Sequence, residues 1–287
     1  MSINMTEQEK DSANSQTVNE SCWTALSKLK EHGYIVPNAE LEKTCAAWPE
    51  EQVAFDDEGY VTMINLGSKR LHRGIKCIDA FGSFERLTTL SLGGTDLPAK
   101  DTVQVLQQVQ TSVTSVYLGG NGLGVDGAKQ IGEWLSAAPQ LTTLDLRYND
   151  IAGPGMEALC QKLVNTPVVY LYVEGNQIGD QGATALATLL KHVDVCMIEE
   201  VFLGANQIES AGTIALASSL ESNKLVSKIY LEGNAMGLEG ANAFSKMLET
   251  LNGDTGLKHL FVDNNQIGKE GSQRLAKALN SSTVIGE

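Results

Sequence analysis

A block of sequence recurs six times in this chain and narrows the folds that the chain can adopt. Each copy has an alternating apolar segment, then an Asn, then a Gly six positions later and two apolar residues ten and fourteen positions after the Asn. Successive Asn positions lie 28, 27, 30, 28 and 31 residues apart. A fixed period of this size predicts a solenoid, in which each unit buries its apolar face only by stacking on its neighbours. The repeated Asn residues are Asn121, Asn149, Asn176, Asn206, Asn234 and Asn265.

The residues after each Asn predict a turn followed by a helix. The two apolar positions of each copy are four residues apart, so they line one face of a helix. Pro154 suits a first helical turn, and Asp180 and Ser210 are placed to cap helix starts. We therefore expect a strand, a turn and a helix in every copy. The repeated glycines are Gly127, Gly155, Gly182, Gly212, Gly240 and Gly271.

The Asn and Gly positions have a structural explanation. An Asn amide offers both donors and acceptors, and can satisfy backbone groups that a tight turn buries. A Gly lets a helix begin close to its neighbour because it has no Cβ. We therefore interpret the six Asn residues as a structural ladder and look for function elsewhere.

The consensus L-x-x-L-x-L-x-x-N-x-L-x-x-x-G-x-x-x-L-x-x-x-L, which covers about residues 87–279, resembles the ribonuclease-inhibitor-like subfamily of leucine-rich-repeat proteins. The resemblance implies an α/β fold: a right-handed solenoid, or horseshoe, with a parallel sheet on the concave side and α-helices on the convex side. Residues 59–71 and 87–97 fit as earlier, degenerate repeats, which brings the total to about eight. The resemblance implies little about function, because one fold hosts many sites.

Composition divides the chain into three segments of one continuous domain. Residues 1–20 are polar and predicted to be a disordered tail. Residues 21–58 are predicted to form a helical cap over the first repeat, with one helix from Ser21 to Gly33 and a second from Asn38 to Trp48. Residues 59–287 are the predicted solenoid.

Charge and cysteine content limit the partners and the compartment. A formal net charge of −14 and a pI near 4.7 disfavour nucleic acid and anionic membranes as partners. The five cysteines are scattered without metal-binding spacing, which favours free, buried thiols in a reducing compartment. The first residues lack the pattern of a signal peptide. We expect a cytoplasmic protein without metal or cofactor that is monomeric when unbound.

One outward position of the predicted strands is unusually aromatic. Alternation places this position on the concave face, next to buried aliphatic residues. Aromatic residues make up 6% of the chain but five of these eight positions. Rings also favour strands through packing alone, but an exposed row of rings is typical of an interaction surface. The column reads Asn65, Ser91, Tyr117, Asp145, Tyr172, Phe202, Tyr230 and Phe261.

The residues beside this column suggest the chemistry of a partner. Tyr148 and Tyr170 extend the aromatic surface sideways. More of the flanking charged positions are acidic than basic, which favours a partner with basic groups beside apolar side chains. The flanking charged or titratable residues are Arg147, Glu174, Glu200, Lys228, Glu232, His259 and Asp263.

We predict a non-enzymatic interaction module, or scaffold, that holds a protein or peptide on its concave face. His259 and Asp263 share a predicted strand, but no Ser or Cys nucleophile is matched to them. The alternative is an enzyme regulator, because GTPase-activating proteins for the GTPase Ran are built from similar repeats. Those proteins typically end in a long acidic tail, whereas this sequence ends eight residues after Leu279. Inhibition of a ribonuclease is a third possibility, which the scarcity of cysteine disfavours.

Overall fold

The computed structural model describes residues 16–37, 43–251 and 255–286 of this chain. Two compact units divide the chain, Met1–Tyr117 and Leu118–Glu287. Strands and helices alternate in both units once the repeats begin, as the sequence predicts.

The first unit combines a short N-terminal helix with four strands. Strand β1 runs antiparallel to β2, while β2, β3 and β4 are parallel and in register. Two 3-10 helices, Cys45–Ala47 and Ile78–Ser83, connect these elements. The helices are α1 (Glu20–Glu31) and α2 (Ala99–Val109), and the strands are β1 (Val53–Phe55), β2 (Val61–Asn65), β3 (Thr89–Ser91) and β4 (Ser115–Tyr117).

Helix α1 confirms the helix predicted from Ser21, but the predicted tail is too long. The Asn19 side chain caps the helix by accepting the N–H of Ser21 at 3.0 Å. Thr17 pairs with Thr44 as an antiparallel bridge, and Val18 is 9% exposed. Residues 16–20 are therefore ordered, because backbone pairing and one buried Val hold them. Residues 1–15 of the predicted tail lie outside the described residues.

The second predicted helix, over residues 38–48, is wrong in its described part. Residues 38–42 lie outside the described residues, Thr44 is extended, and only Cys45–Ala47 forms a single 3-10 turn. The N–H of Cys45 donates to the carbonyl of Gln16 at 2.9 Å, so strand pairing takes a donor that an α-helix would use. Strand β1, which the sequence analysis did not predict, follows and pairs along β2.

The second unit contains the regular repeats. Its strands lie side by side in chain order, and the pairs from β5 to β10 are parallel and in register. The predicted α/β architecture of parallel strands alternating with helices is therefore confirmed. The strands are β5 (Thr143–Asp145), β6 (Tyr170–Tyr172), β7 (Glu200–Phe202), β8 (Lys228–Tyr230), β9 (His259–Phe261) and β10 (Ile285–Gly286), and the helices are α3 (Gly124–Leu135), α4 (Ala152–Leu163), α5 (Gly179–Leu190), α6 (Ser210–Leu220), α7 (Gly237–Leu251) and α8 (Gly268–Asn280).

The core of this unit lies between the strands and the helices. The middle residue of a strand, such as Leu171 or Val201, is 0% exposed, and so is the helical Leu186. Adjacent helices approach closely at the repeated glycines: a Cβ on Gly182 would lie 3.0 Å from the Cβ of Met156. The glycine column therefore sets how closely consecutive helices pack.

The Asn side chains form hydrogen bonds both within and between repeats. The Asn176 amide donates to the carbonyls of Leu146 at 2.8 Å and Val173 at 2.9 Å. Its Oδ1 accepts the N–H groups of Asn149 at 2.9 Å and Ile151 at 3.3 Å. Asn206 forms the same four kinds of hydrogen bond one repeat further along the chain, to its own turn and to the turn of Asn176. Each buried Asn thus joins its own turn to that of the preceding repeat.

The predicted helix caps at Asp180 and Ser210 are wrong. Asp180 Oδ1 accepts the N–H groups of Glu209 and Gly212, both at 2.8 Å, so it caps α6 in the following repeat. The Ser210 hydroxyl donates to the carbonyl of Met236 at 3.0 Å. Because helix starts lie side by side, these two side chains bond to the following repeat and not to the start of their own helix.

Candidate protein-binding face

The outward residues of strands β5–β9 form a distinct surface on the second unit. Strand alternation buries the middle residue of each strand and turns the first and third outward. We call the surface that carries Tyr172, Phe202, Tyr230 and Phe261 the open face.

Four aromatic rings form a continuous stack along the open face. Ring centroids are 4.1 Å apart for Tyr172 and Phe202, 4.1 Å for Phe202 and Tyr230, and 4.4 Å for Tyr230 and Phe261. The interplanar angles are 15°, 11° and 7°. In-register pairing places these residues side by side, at a strand spacing of about 4.8 Å. The sheet itself therefore aligns the rings.

The stacking decides what the open face offers to a partner. The two faces of Phe202 and of Tyr230 are covered by neighbouring rings. Ring edges and hydroxyl groups are left for other contacts, and a ring edge carries partial positive charge. Burial raises the pKa of the Tyr230 hydroxyl, which therefore remains a hydrogen-bond donor. The stack offers an apolar ridge with polar tips, and its inner rings are closed to a cation stacked on them.

An ion pair lies at the first ring of the stack. The Arg147 guanidinium is 5.5 Å from the centroid of the Tyr172 ring. It also donates to Asp145, from Nε to Oδ1 at 3.0 Å and from Nη2 to Oδ2 at 2.7 Å. The bond to Asp145 raises the pKa of Arg147 above its usual value. Arg147 was predicted to bind a partner, and Asp145 was predicted only to lie in the outward column; in the structure their charges neutralise each other.

The fifth aromatic residue of the predicted column lies in the other unit. Tyr117 ends strand β4 and pairs in register with Ser91, which in turn pairs with Asn65 on β2. The structure therefore brings four of the five predicted anchors together in the stack.

The first outward position of each strand forms one edge of the open face. Tyr170, Glu200, Lys228 and His259 pair in register on β6–β9. Lys228 Nζ lies 2.8 Å from Glu200 Oε1, so these charges are matched. Tyr170 is 36% exposed and adds aromatic surface to this edge.

The opposite edge keeps acidic groups without ion pairs. Within the described part of the chain, Glu174, Glu232 and Asp263 have no basic partner within 4.0 Å. Glu174 lies beside Gly204 of the next repeat, where an added Cβ would meet Glu174 Cγ at an ordinary contact distance of 3.6 Å. We call Glu174, Glu232 and Asp263 the acidic edge.

Glu174 is the least satisfied group on the acidic edge. Its Oε2 atom is buried and has no hydrogen-bond partner among the described residues. Burial raises the pKa of this carboxyl to about 7, Arg147 lowers it, and Asp145 and Glu232 raise it further. A hydrogen-bond donor from a partner would satisfy the buried oxygen.

Tyr148 stands beside the acidic edge, in the turn after β5. Its backbone has a φ of +54°, and its side chain is 63% exposed. The ring packs against Gly175 of the next repeat, where a Cβ would overlap it. One side of this ring is therefore held while the rest remains accessible.

The described residues do not meet the requirements of a metal site, a membrane-spanning helix or a disulfide bond. Among residues 16–37, 43–251 and 255–286, no group of three or more His, Cys, Asp or Glu is placed to hold a metal ion. No helix in the same residues is long and apolar enough to span a membrane. All five cysteines are unpaired and buried, as predicted, and burial raises the pKa of Cys45 and of Cys77 to about 11.

Comparisons with known proteins agree with the fold. The sequence model of the family described as Leucine Rich repeat matches residues 109–132, 138–160 and 164–187. Ribonuclease inhibitor from Sus scrofa is 26% identical over 253 residues, which cover 88% of this chain and 53% of the inhibitor. Ran GTPase-activating protein from Drosophila melanogaster is 27% identical over 194 residues, which cover 51% of this chain and 32% of that protein.

A solved structure of the leucine-rich-repeat-containing protein LegL7 from Legionella pneumophila aligns with a TM-score of 0.45 and 19% identity, over 79% of this chain and 84% of that chain. The chain spans about half the length of the pig inhibitor and about a third of the fly protein. The chain contains leucine-rich repeats, and its sequence is similar to ribonuclease inhibitor over most of its length.

Proposed function

We propose that this chain is a non-enzymatic interaction module that binds a protein or peptide on the open face. The observation that carries the proposal is the stack of Tyr172, Phe202, Tyr230 and Phe261, half-buried and presented in a row. Aromatic rows of this kind supply the apolar anchors of protein interfaces.

The acidic edge sets the chemistry of the partner. Glu174, Glu232 and Asp263 favour basic groups, and the adjacent ring edges favour apolar side chains. A cation from the partner would lower the pKa of Glu174, so that the carboxyl loses its proton to solvent. The same cation would donate a hydrogen bond to the buried oxygen. Five strands at about 4.8 Å spacing span about 20 Å, the length of about six extended residues. The partner segment is thus a short stretch of chain with Arg or Lys beside apolar residues.

We further propose a cytoplasmic location. The five thiols are free and buried, as is usual where cysteines stay reduced. The net charge of −14 opposes binding to nucleic acid and to anionic membranes over most of the surface.

A library of displayed random 12-residue peptides tests the proposed function. Wild type should enrich peptides with Arg or Lys next to aromatic or aliphatic residues. Each of Tyr172→Ala, Phe202→Ala and Tyr230→Ala should weaken these peptides at least about thirtyfold, or about 2 kcal/mol. Ile214→Ala removes an exposed apolar side chain from helix α6 and should change affinity less than about twofold. Equal enrichment on wild type and on the Tyr172/Phe202/Tyr230 triple alanine variant would contradict the proposal.

The second candidate function is regulation of a GTPase. The observation in its favour is the 27% identity to Ran GTPase-activating protein, over 32% of that protein. Hydrolysis of GTP by purified Ran, with and without this chain, separates the two functions. An increase of more than about tenfold would favour GTPase activation, and an unchanged rate would favour the binding module.

A further inference from the structure

A basic loop interrupts this acidic chain. Residues 69–76 read KRLHRGIK and hold four of the 21 Lys and Arg residues. No Asp or Glu lies between Glu58 and Asp79 in the sequence. The loop connects β2 to the 3-10 helix Ile78–Ser83 in the first unit. Its positive charge stands against a formal net charge of −14 for the whole chain.

The loop is held by its apolar residues. Leu71 and Ile75 are 4% and 6% exposed, so they anchor the loop in the core. The N–H of Leu71 donates to the carbonyl of Thr95, and that of Gly74 donates to Leu71, both at 2.7 Å. Gly74 has a φ of +84°, which a glycine adopts without strain. The basic side chains that flank or lie between these anchors are exposed on an ordered backbone: Arg70, His72, Arg73 and Lys76.

The cations of the loop are not neutralised within the described part of the chain. Lys69, Arg70, Arg73 and Lys76 have no acidic partner within 4.0 Å there. Elsewhere in the first unit, by contrast, Lys28 pairs with Asp79 at 2.6 Å and Arg86 pairs with Asp56 at 2.9 Å. Asp101 packs its carboxylate against the loop at Gly74, without an ion pair to these cations.

Aromatic and apolar surface adjoins the loop. The Tyr34 hydroxyl accepts the N–H of Lys76 at 3.2 Å, and the Tyr34 ring lies 5.8 Å from that of His32. Val36, two residues along the chain, is 69% exposed. A small inorganic anion would use only the charge, whereas a polypeptide can use both the charge and these apolar contacts.

We propose that the basic loop, with Tyr34 and Val36 beside it, binds an acidic segment of a partner polypeptide. A membrane surface or a nucleic acid extends beyond the loop, and the formal net charge of −14 on the whole chain would oppose its binding. A segment of a few acidic residues is short enough to contact the basic loop without contacting the rest of the surface. This site is independent of the open face, whose partner segment is basic.

A labelled acidic peptide tests the proposal on the full chain. The probe is a fluorescein-labelled dodecamer of Glu and Asp with two Leu residues, followed by fluorescence anisotropy. The triple variant R70E/R73E/K76E should weaken binding at least about tenfold. The triple variant K269E/R274E/K277E makes the same charge change on the exposed side of helix α8 and should stay within about twofold of wild type. R73Q alone should weaken binding about threefold at an unchanged melting temperature, which tests the site if the triple variant does not fold.

Three results would overturn the proposal. The Gln and Asn version of the peptide could bind as well as the acidic one, which would exclude charge recognition. The two triple variants could weaken the peptide equally, which would show an effect of net charge alone. Phosphatidylserine vesicles or a 12-nucleotide single strand of DNA could bind through the loop while the peptide does not, which would identify a phosphate site.

Discussion

Two columns of repeated residues run along the second unit, one in the turns and one on the open face, and they differ in how completely their groups are satisfied. The Asn ladder from Asn149 to Asn265 is at most 4% exposed, and its amides bond to backbone groups. The aromatic stack is half-buried, and the acidic edge beside it contains a buried oxygen that has no hydrogen-bond partner among the described residues. Repetition alone therefore does not separate a structural column from a binding column. Completeness of bonding within the chain is the better criterion.

The largest effect should come from breaking the Asn ladder. Asn176→Ala leaves the N–H groups of Asn149 and Ile151 buried without an acceptor. We expect the free energy of unfolding to fall by about 3 kcal/mol in urea titrations. Thr184→Ala, on the exposed side of helix α5, is the control and should change it by less than about 0.5 kcal/mol. A loss below about 1 kcal/mol for Asn176→Ala would mean that the ladder is not the main support of the turns.

Two helical glycines, Gly182 in the repeated column and Gly132 outside it, offer a matched pair of smaller changes. A Cβ on Gly182 would lie 2.6 Å from the Cβ of Ile178, so Gly182→Ala should cost about 2 kcal/mol through overpacking. A Cβ on Gly132 would meet the flexible Lys162 side chain at 3.2 Å. Gly132→Ala should therefore be neutral or stabilise by up to about 1 kcal/mol through helix propensity. Thermal melts of both variants measure the difference, and equal melting temperatures would show that close helix packing does not depend on this column.

The stack should matter less to stability than the ladder does. Phe202→Ala removes two ring contacts, each worth about 0.5–1.5 kcal/mol, so the free energy of unfolding should fall by about 1–3 kcal/mol. Phe261→Ala removes one contact to a stacked Tyr and should cost less. Urea titrations compare both with Asn176→Ala. A loss for Phe202→Ala that exceeds the loss for Asn176→Ala would assign the stack to the core.

The smallest effect concerns Glu174 and depends on pH. The folded pKa of about 7 lies above the ordinary value of 4.5, so the folded state holds the proton more tightly than the unfolded state. The contribution of the Glu174 carboxyl to the stability of the folded state is therefore complete below pH 4.5, and it is lost as the pH rises through 7. Glu174→Gln keeps a neutral side chain and should be more stable than wild type at pH 8 by up to about 1 kcal/mol, but equal at pH 4. A difference independent of pH would show that folding does not change the pKa of Glu174.

The regular half of the fold could be predicted from the sequence because one pattern is repeated. Six copies of the same spacing place Leu171 in the core and Asn176 in a turn by strand and helix periodicity alone. The strand β1 and the ordered residues 16–20 were missed because they occur once and are short. Their pairing depends on partners such as Thr44 and Ile64 that no local pattern identifies.

The candidate site was predictable only in part, for a related reason. Alternation identified the column that contains Tyr172 and Phe202, but the pairing of Arg147 with Asp145 depends on side-chain geometry. The burial of Glu174, which raises its pKa, likewise depends on three-dimensional packing that no local sequence pattern identifies. The basic loop at residues 69–76 was overlooked because only residues 69–71 fall within a predicted repeat, and that repeat is degenerate.

Site-directed photocrosslinking tests most directly which face binds a protein partner. Tyr170→p-benzoylphenylalanine places the reactive group at the edge of the open face without disturbing the stack, and Ile214→p-benzoylphenylalanine places it on helix α6. Both residues are exposed, at 36% and 44%. With the peptide that wild type binds most tightly, we expect a crosslink from position 170 and none from position 214. A crosslink from position 214 and none from position 170 would contradict binding on the open face.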